Sequence, residues 1–203
     1  MIPHLPSIFA AIGPVVAWSL VLILAIASLC CVLFALRNPR RPLIYVASGL
    51  LALAVIIVAI PTVAAPPLFS LLIGIVAVAL SIAGGGPASQ LVLALASRST
   101  VEGVNGGIVV AERTTPAERA EGEHPTREVL RGGTTIGFLE RLATTGSIIA
   151  GFPEAIAVLV AVKGVGRFTE LDAAEARERF IIGTLVSLIW ACACAALFRL
   201  AAA

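Results

Sequence analysis

Glu140, Arg141, Glu154, Lys163 and Arg167 lie within a stretch, Thr134 to Phe168, that is otherwise apolar enough for lipid. Ionisable groups in such a setting are expensive, and they serve as ion sites, proton relays or helix-locking pairs. Gly151 and Pro153 divide the stretch, because a glycine closes one helix and a proline followed by an acid opens the next. The reading is two helices, 134–151 and 153–168, joined by a tight Gly-Phe-Pro turn. Glu140 lies twelve residues before Phe152 and Lys163 eleven after it. The two therefore come to one depth and are expected to pair, with Arg167 one turn beyond Lys163. Arg141 stands about 100° round the helix from Glu140 and is expected to reach for the nearer membrane interface.

A second pattern runs along the first of these helices. Gly133, Gly137, Glu140, Thr144, Ser147 and Gly151 recur at alternating steps of four and three, which makes one narrow small and polar stripe. In membranes such a stripe lets helices approach closely and bond across, so it is expected to face protein.

Three kinds of chemistry fit charges so placed: a structural ion pair, an ion, proton or headgroup site, and catalysis. The inventory disfavours the last. Both histidines, His4 and His124, fall outside the apolar segments, Asp172 is the only aspartate, and no Gly-rich loop ends in Lys-Ser or Lys-Thr. Ser147 lies two turns from Glu140, too far for direct activation. The chain is read as no enzyme, with no cofactor. Cys30, Cys31, Cys192 and Cys194 sit inside apolar runs with no convergent ligands, so they are read as small apolar side chains and not as a metal site. Their places near opposite ends of two helices also predict that neither pair bridges the other.

The elements that must hold these residues follow from composition. Of 203 residues, 59% are hydrophobic and 13% charged, with a mean hydropathy of +1.05. A water-soluble domain averages about 25% charged residues, so the solvent is read as a bilayer. A formal charge of +2 gives no case for nucleic acid. "MIPHLPSIF" has no basic start, and the apolar run that follows is long, so it is read as a retained helix and not as a cleaved signal.

Apolar segments at 14–36, 43–61 and 179–199 are each long enough to cross. A fourth, 67–83, meets "GGGP" at 84–87, where Gly and Pro predict a break or kink; residues 88–97 then extend the helix or lie at the surface. Residues 98–133 carry five Arg and six Glu and read as a polar loop, with Asn105-Gly106 as a hairpin signal. The expectation is an all-α integral membrane protein with about six transmembrane helices. Residues 1–97 form a three-helix part, 98–133 the loop, and 134–203 a second three-helix part containing the charged hairpin. Arg37, Arg40 and Arg41 mark the first short loop as cytoplasmic. Both termini are then outside and 98–133 inside.

"RGGTTIGFLERL", "AVKGVGRFTEL" and "ERFIIGTLVSLI" resemble the C-terminal part of an uncharacterised group of bacterial multi-pass membrane proteins with an IG-x-LER…A-x-K-x-x-x-RF-x-EL…F-x-IGT pattern. The resemblance covers roughly residues 131–190. It implies that Glu140, Arg141, Lys163 and Arg167 belong together, and it implies no substrate. The expected role is an accessory or scaffold subunit of a membrane assembly in the bacterial inner membrane. The alternative is an ion- or proton-coupled transport component using Glu140, Lys163 and Arg167. Expected partners are membrane lipids and a second copy or other membrane subunits.

Overall fold

The computed structural model describes residues 5–60, 64–96, 109–111, 126–128, 133–166 and 174–203. Six helices appear in this order: α1 (Leu5–Arg37), α2 (Arg41–Ala59), α3 (Pro67–Ala96), α4 (Gly133–Ile149), α5 (Ala155–Gly166) and α6 (Ala174–Ala202). Between α3 and α4, β1 (Val109–Ala111) pairs antiparallel with β2 (Thr126–Glu128). This pairing is not a turn at Asn105-Gly106, because the partner of Val109–Ala111 is the later Thr-Arg-Glu segment. Residues 101–108 lie outside the described residues.

Four helices are long and apolar enough to cross a membrane: α1 from Gly13, α2, α3, and α6 from Ala176. The chain is thus helical and compatible with a membrane protein. Its outer surface agrees, since Ile23, Phe34, Ile56 and Ile189 are all at least 60% exposed.

Burial in the first helices follows a three-four rhythm. Among the residues from 13 on, Trp18, Val21, Ala25, Ser28, Val32 and Ala35 are the buried positions of α1, and Ile44, Ala47, Leu51, Ala54 and Val58 are those of α2. That rhythm forms one seam per helix and suits a shallow left-handed crossing. Small residues at the seam bring the backbones close, and buried Ser28 donates its hydroxyl to the Ala47 carbonyl at 2.8 Å.

Helix α3 does not break at 84–87. It runs through Gly84, Gly85, Gly86 and Pro87 as one element of 30 residues, about 45 Å long. The reason is tertiary. A β-carbon on Gly84 would lie 2.3 Å from Trp190 Cζ2, and one on Gly85 would lie 2.3 Å from Arg141 Cδ. The glycines form a notch that receives two large side chains. Trp190 Nε1 also donates to the Leu80 carbonyl at 3.0 Å and Arg141 Nε to the Ile82 carbonyl at 2.9 Å. These contacts hold the helix where its local sequence would open it.

Contacts between Ser89 and the Gly183 carbonyl, and between Trp190 and the Leu80 carbonyl, set α3 and α6 antiparallel. Arg141 to Ser187 and Thr145 to Ala191 both span 46 positions, so α4 runs parallel to α6. Helix α4 therefore lies in the groove between α3 and α6, and α5 packs back along α4.

Candidate functional site

The hairpin turn is built by its own residues. Gly151 has φ +85°, a left-handed conformation that suits glycine. Phe152 N donates to the Ser147 carbonyl at 2.8 Å and Gly151 N to the Ile148 carbonyl at 3.1 Å. These two bonds are the Schellman closure of a helix. Three short-range bonds, from Ala155, Ile156 and Ala157 to Phe152, Pro153 and Glu154, then start α5. At the turn, α4 ends at Ile149 and α5 starts at Ala155, each two residues inside the expected boundary.

At the expected depth Lys163 Nζ forms an ion pair with Glu140 Oε2. The Lys163 and Glu140 side chains are 18% and 12% exposed, so the pair is largely enclosed. Phe180 of α6 covers it, with Lys163 Nζ 5.6 Å from the ring centroid, a cation–π distance. Arg167 lies outside the described residues. Glu154 is exposed at the turn.

Arg141 does not reach for an interface. It is 4% exposed and points into the seam between α3 and α6. Nε donates to the Ile82 carbonyl, Nη1 donates to Ser187 Oγ at 3.1 Å, and the guanidinium lies 5.4 Å from the Phe138 ring. The notch at Gly85 is what admits it, since burying a guanidinium requires acceptors and space at once.

The protein-facing stripe of α4 is rotated by about one residue from the expected one. Its buried positions are Arg141, Thr144 and Thr145. Thr145 Oγ1 lies 2.6 Å from Ser81 Oγ and donates to the Ala191 carbonyl at 3.3 Å. Of the predicted stripe, Thr144 is fully buried and bonds back to the Glu140 carbonyl, while Gly137 and Ser147 are half-buried. Ser147 bonds back to the Thr144 carbonyl. These two hydroxyls serve their own helix. Ser81, Thr145 and Ser187, which the sequence reading did not single out, take part in the bonds that tie α4 to α3 and α6. Only Thr145 shares a spacing on α4, four residues after Arg141 and eight after Gly137, while Ser81 and Ser187 come from α3 and α6.

Among the described residues no group of three or more His, Cys, Asp or Glu gathers in a way that could hold a metal. All four cysteines are free, and Cys194 is buried against the core. The site's chemistry is therefore that of a closed polar seam: one ion pair, one buried guanidinium, and hydroxyls paired to carbonyls. Comparison with family models, with curated proteins and with solved structures returned no match.

Proposed function

We propose that this chain is an accessory or scaffold subunit of a membrane assembly, and that it crosses the membrane six times. One observation carries the role. The Glu140–Lys163 pair is spent on holding α5 against α4, while α5 buries no side chain of its own and turns Val158, Val162 and Val165 outward at 65% exposure or more. A helix fastened on one side and apolar on the other is a presentation surface for membrane neighbours.

Six crossings are supported by register. The 46-position offset between α4 and α6 brings Gly133 level with Arg179 and Pro153 level with exposed Arg199. The hairpin turn thus reaches the depth at which α6 carries its terminal charge. The Arg37, Arg40 and Arg41 loop then lies in the cytoplasm, both termini outside. The resemblance of residues 131–190 to a bacterial group points to a bacterial plasma membrane.

Photocrosslinkers placed at Val158 and Val162 in intact membranes should give discrete protein adducts that a crosslinker at Ile23 does not. In liposomes the purified chain should pass no protons or ions beyond the lipid background. A flux abolished by Glu140→Gln would replace this reading with the transport one.

A further inference from the structure

The loop between α1 and α2 gathers three cations. Arg37 closes α1, and Arg40 and Arg41 open α2, so three guanidinium groups fall within five residues. All three are exposed. Among the described residues none of them meets a carboxylate, and the sequence holds no acid before Glu102. Nothing on α1, α2 or α3 therefore offsets the charge.

The patch has a depth as well as a charge. Helix α2 is 19 residues long, about 28 Å, close to the hydrocarbon thickness of a bilayer. With α2 across the membrane, Arg41 stands at one edge of the hydrocarbon and Ala59 at the other. Arginine stems are long enough to carry their heads outward into the headgroup layer. Tyr45, one turn further along α2, is 52% exposed, at the level where amphipathic rings are enriched in membrane proteins. The opposite end of these helices differs. Residues 60–66, which join α2 to α3, carry no charge.

Three like charges in one short loop repel one another, and an anionic neighbour relieves the repulsion. Lipid phosphates supply that neighbour at the depth where the arginines stand, and the planar guanidinium fork meets phosphate oxygens with two parallel bonds. A zwitterionic headgroup also has a phosphate but cancels it with its own cation. We infer that the α1–α2 loop is a docking surface for anionic phospholipid headgroups, which Arg37, Arg40 and Arg41 select over zwitterionic ones. The inference rests on α1 and α2 crossing a membrane and not on the accessory role.

The test uses the full chain purified in a maltoside detergent and mixed with equimolar phosphatidylglycerol and phosphatidylcholine of the same acyl chains. Native mass spectrometry counts the adducts of each lipid. Wild type should carry phosphatidylglycerol in excess at low salt, and the excess should shrink as salt rises. A basic residue near an anionic surface is worth about fivefold in affinity. Each of Arg37→Gln, Arg40→Gln and Arg41→Gln should therefore lower the excess by up to about fivefold, and the triple change should abolish it. Replacing all three by lysine keeps the charge and should keep the excess, which separates a lost surface from a damaged fold. Arg199→Gln should leave the excess unchanged, because Arg199 lies at the opposite end, where Ala65 N donates to the Ala201 carbonyl at 3.1 Å. Equal adducts of the two lipids on wild type, or an excess that survives the triple glutamine change, would overturn the surface. Wild type that retains neither lipid would overturn the crossing by α1 and α2 together with it.

Discussion

Glu140 and Lys163 form a largely enclosed pair, and enclosure sets what each is worth. Removing one partner of a buried pair leaves the other charge uncompensated, at a cost of roughly 3–5 kcal/mol, whereas replacing both is often near neutral. The remaining exposure of 18% and 12% places this pair toward the lower end of that range. Glu140→Gln and Lys163→Met should each lower thermal stability in detergent, and the double variant should recover most of the loss. A double-mutant cycle with no coupling would mean that the two charges are solvated separately. The pair was legible in the sequence because depth in a hairpin is counted from its turn, and Gly151 and Pro153 mark that turn. Arg141 was not legible. Adjacent residues on a helix differ by about 100°, and the stripe chosen by small and polar residue type fell one position away from the buried one. The side chains that decide the rotation, Ser81 and Ser187, come from helices distant in sequence.

At the scale of an element, α3 shows local and tertiary preference in conflict. Gly-Gly-Gly-Pro favours a break, yet the helix persists because Trp190 and Arg141 occupy the glycine notch and bond to its carbonyls. Trp190 is 110 positions from Leu80, so no local window of sequence carries this information. The account predicts opposite signs for two neighbouring alanine substitutions. Gly84→Ala drives a methyl group into the Trp190 ring and should destabilise by about 1–3 kcal/mol, the usual range for overpacking. Gly86→Ala has only Arg141 Nη2 within 4 Å, in ordinary contact. It should be neutral or stabilise by up to about 1 kcal/mol, because alanine is the better helix former. Chemical denaturation of both variants in one detergent compares them directly. If Gly84→Ala is the milder change, the notch does not hold Trp190.

The whole molecule is a three-helix unit, α1 to α3, joined by α6, with the α4–α5 hairpin laid against α3 and α6. Its apolar, helical character was legible from composition, and α1, α2, α3 and α6, the four helices long and apolar enough to cross a membrane, from the length of their apolar runs. The crossing by α4 and α5 is the less obvious claim, since the described parts of the two are 17 and 12 residues long, about 26 and 18 Å, against a hydrocarbon core of about 30 Å. The claim rests on Phe152, which is 68% exposed at the turn, lying at the same end of the bundle as Ala203. Cysteine labelling tests it most directly. In a variant with Cys30, Cys31, Cys192 and Cys194 replaced by alanine, single cysteines are placed at Asn38, Phe152 and Ala203. An impermeant maleimide applied outside intact cells should label Phe152→Cys and Ala203→Cys and leave Asn38→Cys untouched. Labelling of Phe152→Cys only after the membrane is opened, together with Asn38→Cys, would mean that the charged hairpin does not cross and would contradict the account.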